Sequence, residues 1–332
     1  MISVQGLTAK YRDRVVLHGL DFHVGKNEIV GLLGPNGSGK TTLLLCLSKV
    51  VPLHAGEATV SGRELSAYSA RELALVEASV PQRLEISFPF RCIEVVLMGR
   101  YPHQREFGSD SDEDLARAME AMRLTDTLDL ARRRITEISG GEAQRVIIAR
   151  ALAQEAELLL LDEATANLDV AHKMQMFDLF SEKNNQGATF LCAMHDLNLA
   201  ALYCQRLIFL KNGRINVDGP TMETFTEENL SEIYETEVRI IPHPDTGVPQ
   251  AMFVRGAERQ AHSVNSIRQN PPKSSQRCKM FRFGRYTMAV LLALEVLLFL
   301  PAMAPAEVRI TDDLGQVISL EGPARRIISL YG

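Results

Sequence analysis

The chain has 332 residues, 46% of them apolar, and a formal charge of −5 at pH 7. That length supports one large or two ordinary domains with sizeable cores, and the slightly acidic balance gives no hint of a nucleic-acid surface. Five scattered cysteines without a Cys-x-x-Cys pair and eight histidines without metal-ligand spacing signal neither a disulfide framework nor a zinc site, which fits a reducing cytosol.

Ile2 to Leu7 and Val15 to Leu17 read as short strands around the turn-like Arg12-Asp13-Arg14. Tyr11 ends the first strand and is either an ordinary exposed hairpin aromatic or a ring that stacks on a base. The apolar run ending at Leu33 then delivers Gly34 to Thr42, GPNGSGKTT. This matches the phosphate-loop pattern G-x-x-x-x-G-K-[ST] between a strand and a helical run at Thr42 to Val50. Gly34, Gly37 and Gly39 permit positive φ and remove Cβ atoms, so successive N–H groups turn toward phosphate oxygens at a helix N-terminus. Pro35, Asn36, Ser38 and Thr42 complete the loop. Lys40 is expected to reach the β- and γ-phosphates, and the Thr41 hydroxyl to ligate Mg²⁺, which takes oxygen donors.

Gly56 to Val60 gives another short strand, and Leu73 to Val80 a half-alternating apolar run ending at Pro81-Gln82. From Arg83 to Glu137 strands give way to amphipathic helical segments, notably Ile93 to Gly99 and Asp112 to Met122. The acidic start of the second suits a helix N-terminus. A helical subdomain at about residues 83–150 is therefore expected, set on a nucleotide-binding core.

Ser139, Gly140, Gly141 and Glu142 open the next helix, Ala143 to Gln154. They are an ordinary serine-glycine helix start or a second anion site. Two half-sites for one triphosphate suggest head-to-tail pairing of two copies. Leu158 to Leu161 reads as a buried parallel strand delivering Asp162 and Glu163 to the carboxyl edge of the sheet, where ligands bind. Asp162 is expected to hold Mg²⁺, and Glu163 to orient and deprotonate an attacking water. Ala188 to Ala193 is a further strand ending in Met194-His195-Asp196. His195 is either polar decoration or a hydrogen-bond donor to the γ-phosphate.

Taken together these residues resemble the ATP-binding cassette ATPases over roughly residues 1–255. Gly34 to Thr42 is similar to the family's Walker A loop, Gln82 to its Q-loop, Ser139 to Glu142 to its signature, and Leu158 to Glu163 to Walker B. Asn167-Leu168-Asp169 is similar to the D-loop and His195 to the switch histidine, and Tyr11 falls where the family stacks adenine. Ile138 stands in place of the usual leucine and Ala164 where proline is common. The resemblance implies an α/β fold: a P-loop NTPase core of mostly parallel sheet and helices, an antiparallel β subdomain and an inserted α-helical subdomain. It also implies an ATPase using ATP and Mg²⁺, with Glu163, His195 and Gln82 as catalytic residues and Thr41, Gln82 and Asp162 around the metal.

Val96 to His103, His195 to Ala200 and Leu207 to Arg214 narrow the resemblance to the ATPase subunits of importers for iron-siderophore, haem or cobalamin. That class implies a homodimer on an integral-membrane permease served by a periplasmic binding protein, at the cytoplasmic face of the bacterial inner membrane. Gln82 and the helical insert would carry the coupling. The alternatives are an exporter subunit, a soluble cassette protein, or a regulatory module that binds nucleotide without hydrolysing it.

The composition changes near Gly256. Residues 256–279 are polar and basic with Pro271-Pro272, and read as a disordered linker. Residues 280–306 combine Arg282 and Arg285, the apolar run Met288 to Leu300 and Ala304-Pro305-Ala306, the three regions of a signal peptide. The alternative is a membrane anchor, for which the run is short. Residues 307–332 resemble the start of a periplasmic binding protein, as if the opening of a neighbouring gene were joined to the ATPase.

Overall fold

Alternation of side chains about an extended backbone decides where every central strand lies. The computed structural model describes residues 1–12, 14–82, 86–104, 111–255, 308–311 and 317–320. It divides into one unit spanning Met1–Ile267 and a second spanning Arg268–Gly332. The first unit opens with β1 (Ile2–Tyr11) and β2 (Arg14–Val24), then β3 (Ile29–Leu33), α1 (Lys40–Leu47), β4 (Ala55–Val60) and β5 (Arg63–Glu64). There follow α2 (Ala70–Val76), β6 (Glu77–Val80), α3 (Cys92–Leu97), α4 (Asp112–Leu124), α5 (Gly140–Ala153) and β7 (Leu158–Asp162). Next come α6 (Val170–Asn185), β8 (Thr189–Ala193), α7 (Leu197–Tyr203), β9 (Arg206–Lys211) and β10 (Arg214–Pro220). The unit closes with α8 (Thr221–Thr224), α9 (Glu227–Tyr234), β11 (Val238–Pro242) and β12 (Pro249–Phe253).

A six-stranded sheet has the order β10-β9-β3-β8-β7-β6, parallel except for the antiparallel edge strand β10. A four-stranded antiparallel sheet has the order β2-β1-β4-β5. Strands β3, β7 and β8 are buried at every position, as expected of parallel strands covered on both faces. Their alternate residues serve two cores. Val30, Leu32, Leu158, Leu160 and Leu191 join Leu43, Leu44 and Leu47 of α1 and the apolar face of the antiparallel sheet. Ile29, Leu33, Leu159, Leu161 and Phe190 face the other way, onto α5, α6 and α7. Helix α1 is thus packed between two sheets. These are the core and antiparallel subdomain that the resemblance implied.

Helix starts follow local capping chemistry. Ser69, Ser111 and Ser139 each form a capping box with the acidic residue three positions on, and Asp169 and Asp196 cap α6 and α7. The run Leu73 to Val80 is corrected by one of these caps. Ser69 and Glu72 make its first half a helix, so that only Glu77–Val80 remains strand. Strand β2 continues to Val24, beyond the short segment expected, because Leu20, Phe22 and Val24 alternate with polar residues on an exposed face. Helix α1 begins at Lys40, two residues before the expected run.

Helices α3 and α4 and most of α5, which runs on to Ala153, lie in residues 83–150, and all three pack together through Val95, Val96, Ala118, Ala121, Met122 and Val146. Residues 83–85 and 105–110 of this segment lie outside the described residues. In the second unit a hairpin of β13 (Val308–Thr311) and β14 (Val317–Leu320) is described. The linker expected at 256–279 and the signal-like segment at 280–306 lie outside the described residues, as does most of 307–332. No helix among the described residues is long and apolar enough to cross a membrane.

Arg100 ties the helical insert together from inside. Its guanidinium donates to Asp114 (3.0 Å), to the Ala153 carbonyl (2.7 Å) and to Glu155 (2.8 Å). Asp114 is held below the usual carboxylate range by its hydrogen bonds to Ser111 and Arg100. Removing one side of a buried pair strands the other, so Arg100→Ala should lower the free energy of unfolding by about 3 kcal/mol. Urea denaturation of the full chain checks this.

Candidate functional site

Parallel pairing brings three chemistry-bearing strand ends to one edge. β3 pairs with β8 through Leu32 and Ala193, and β7 pairs with β8 through Asp162 and Ala193. The phosphate loop, the acidic pair and His195 therefore emerge side by side. Gln82 arrives from β6, the neighbour of β7. A cleft of about 570 Å³ opens between them, lined by the loop from Asn36 to Thr42, by Val16 of β2, and by Gln82, Glu163 and His195.

The loop is built for close approach. At Gly34 φ is +145°, and a Cβ there would stand 1.9 Å from the Leu210 carbonyl oxygen. At Gly39 φ is +109°, and a Cβ would meet Leu17 at 2.5 Å. Both positions require glycine. Gly39 caps α1 without any side-chain hydrogen bond, which leaves the helix's first N–H groups to an anion in the cleft. Lys40 is buried, and its ammonium donates to the carbonyls of Gly34 (2.8 Å) and Pro35 (3.3 Å). Burial pulls its pKa down, against the opposing pull of Glu163 and Asp162. The Ser38 hydroxyl is buried without a hydrogen-bond partner, an unsatisfied group in a loop whose pattern fits phosphate oxygens.

Thr41 Oγ1 donates to Asp162 Oδ1 at 3.1 Å. Burial raises the Asp162 pKa, partly offset by that bond. A hydroxyl and a carboxylate beside a phosphate loop are the oxygen donors Mg²⁺ takes when it also binds substrate phosphates. Among the described residues no cluster of three His, Cys, Asp or Glu could hold a metal alone. The donor set thus fits a cation brought in with nucleotide.

Glu163 turns out of β7 with φ of +50°, and its N–H donates to the Ala193 carbonyl at 3.0 Å. This left-handed turn aims the carboxylate across the cleft. Gln82 Nε2 donates to Oε2 at 2.6 Å, and His195 Nε2 pairs with Oε1. One carboxylate is thereby held by side chains from the ends of two other strands. A polarisable acceptor fixed at both oxygens is suited to align a water and take its proton.

Two expected elements do not join this cleft. Tyr11 lies at the end of β1, 45% exposed. Ser139 and Gly140 are exposed at the start of α5, where Ser139 forms a capping box with Glu142; the Asn167 carbonyl lies 3.4 Å from where a Cβ on the next residue, Gly141, would sit. Gly141 therefore packs against Asn167 and Leu168, and none of these residues lines the cleft of its own chain's phosphate loop. The sequence reading missed Tyr234, whose hydroxyl accepts from Gly34 N–H at 3.1 Å, and Gly213, whose N–H donates to the Ser38 carbonyl at 3.0 Å. Neither carries a local signal, because each contact joins distant parts of the chain.

A phosphate loop on a mostly parallel sheet, with paired acids at the neighbouring strand end, defines a P-loop nucleoside triphosphatase. The sequence profile of the ABC transporter family matches residues 17–166. The hemin import ATP-binding protein HmuV of Streptomyces coelicolor is 46% identical over 74% of this chain and 88% of its own length. The iron(3+)-hydroxamate import ATP-binding protein FhuC of Bacillus subtilis is 38% identical over 75% of this chain and 93% of its own. A solved structure described as a metal-chelate type ABC transporter in an inward-facing conformation superposes with a TM-score of 0.67 at 27% identity, covering 77% of this chain and 98% of that one. The chain belongs to the ABC transporter family, as an ATP-binding ATPase subunit.

The raised pKa of Asp162 has a sign. A carboxyl whose folded pKa lies above its unfolded value loses stability as pH rises from the ordinary carboxylate range through the folded value. That cost grows as pH rises above the ordinary carboxylate range. Asp162→Asn keeps an acceptor for Thr41 and removes the buried charge, so the nucleotide-free protein should melt higher at pH 7.5, roughly. The gain should vanish near pH 4, roughly the carboxylate range, and magnesium-dependent turnover should be lost. Thermal melts at the two pH values, with phosphate-release assays, check this.

Proposed function

We propose that two copies of this subunit enclose two ATP molecules, each held by the phosphate loop of one copy and by Ser139, Gly140 and Gly141 of the other. The observation that carries this reading is the Glu163 carboxylate, fixed by Gln82 and His195 at the mouth of the phosphate-loop cleft. Exposure of the Ser-Gly-Gly helix start away from its own cleft supports the paired arrangement. Gly34 to Thr42 cradle the phosphates and Lys40 neutralises their charge, while Tyr11, exposed at the end of β1 outside the cleft lining, stacks on the adenine where it projects from the cleft. Thr41, Asp162 and Gln82 hold Mg²⁺, which neutralises the charge that develops on the phosphates. Glu163 takes the proton of the attacking water, and His195 donates to the γ-phosphate.

In this reading residues 1–255 form the ATPase domain, and the helical segment at 83–150 passes the cycle to an integral-membrane permease at the cytoplasmic face of the inner membrane. The complex works with a periplasmic binding protein and imports an iron chelate, haem or siderophore, or cobalamin. Similarity to hemin and iron-hydroxamate import subunits, and to a metal-chelate type transporter, supports that class. Residues 280–306 keep the pattern of a signal peptide and residues 307–332 that of a binding-protein start.

Glu163→Gln should bind MgATP as the parent does, form an ATP-dependent dimer, and lose turnover by about 10²- to 10⁴-fold. Light scattering with nucleotide and a phosphate-release assay measure both; a monomer, or near-parental hydrolysis, overturns the reading. For the cargo, a deletion strain carrying this subunit should recover uptake of one of haem, ferric hydroxamate or cobalamin. Recovery of none sinks the import assignment.

A further inference from the structure

The carboxyl-terminal part of the ATPase unit grips the phosphate loop at its entrance. Gly34 is the first residue after β3 and is buried against the Leu210 carbonyl, so closely that no side chain fits. Its N–H needs an acceptor there, and the acceptor is Tyr234 Oη at 3.1 Å, from a residue 200 positions away. The carbonyl of the same glycine receives the Lys40 ammonium at 2.8 Å. One short piece of backbone therefore links the tyrosine hydroxyl to the loop's only lysine.

Tyr234 is itself firmly seated. It closes α9, and the next residue, Glu235, is ion-paired at 2.8 Å with Lys211, whose ammonium also donates to the Glu232 carbonyl at 2.8 Å. Lys211 is the last residue of β9 and follows Leu210, which contacts Gly34. Burial pushes the phenol up to about 12, so the hydroxyl stays neutral through the physiological range. Beyond α9 the chain forms the β11–β12 hairpin. There Asn198, three residues after His195, donates to the Ala251 carbonyl at 3.3 Å and accepts from its N–H at 2.7 Å. The segment from Glu227 to Phe253 thus holds both the phosphate loop and the helix that follows His195.

We propose that Tyr234 is a positioning residue for the phosphate loop, and that the segment from Glu227 to Phe253 sets nucleotide affinity by fixing Gly34 and, through it, Lys40. The inference rests on the reading of this cleft as the ATPase site. Removing the hydroxyl leaves a buried N–H without a partner and loosens the carbonyl that holds Lys40. The bound phosphates, not the attacking water, should register the change.

The test is Tyr234→Phe in the full chain. The KM for ATP and the Kd for a fluorescent ATP analogue should rise about three- to tenfold, the range one neutral hydrogen bond commands. The kcat at saturating ATP should stay within about twofold. Lys211→Met, which frees α9 from outside the cleft, should shift KM in the same direction. Tyr203→Phe, which removes a hydroxyl bonded to Asp178 at 2.6 Å on the far side of α7, should leave KM unchanged. Parental KM in Tyr234→Phe, or a lower melting temperature without a KM shift, overturns the proposal. A parent protein that binds ATP but releases no phosphate would instead overturn the reading of the site, and the two failures are thereby distinct.

Discussion

The parallel register of β3, β8, β7 and β6 is the constraint on which the cleft depends. Because these strands run the same way, their carboxyl ends share one edge, and a phosphate loop, an acidic pair, a histidine and a glutamine from four separate strands arrive together. Burial on both faces fixes that register, since a slip of one residue would turn the side chains of one core into the other. The geometry of the site is thus a consequence of the packing of Val30, Leu32, Leu159 and Leu161 as much as of the polar residues themselves.

Electrostatics in the cleft runs against folding. Burial lowers the pKa of Lys40 and raises that of Asp162, so it works against the charged form of each, and their mutual attraction opposes that only in part. The unpartnered Ser38 hydroxyl adds to the same account. Groups left in this condition gain most from a ligand of complementary charge, and a magnesium-bound triphosphate supplies anionic oxygens and a cation at once. The site is thereby poised for binding by the strain of its own solvation.

Much of this was legible in the sequence wherever the physics is local. The glycine, lysine and hydroxyl spacing of residues 34–42, the apolar tetrad before Asp162 and the serine-to-acid spacing at Ser139 and Glu142 each act within one turn or strand end. Leu73 to Val80 was less clear, because a four-residue capping signal at Ser69 outweighs the alternation that follows it. β2 hid its length behind His18, Asp21 and His23 on its outer face. The tyrosine at 234 was out of reach, since its partner lies across the fold and nothing near it in sequence speaks of phosphate. Nor does the sequence disclose that Glu163 takes a left-handed conformation, a property of the turn it must make between β7 and the Ala193 carbonyl.

That conformation separates two kinds of selection acting at one position. A left-handed backbone disfavours nearly every residue except glycine, asparagine and aspartate, so the glutamate is kept there against the preference of its own main chain. A glycine at 163 would relax the turn but remove the carboxylate to which the proposed mechanism gives the water's proton, whereas valine or isoleucine would remove it and strain the turn further. The backbone at 163 thus favours glycine or asparagine while the proposed chemistry needs a carboxylate, so stability and turnover pull this one position in opposite directions.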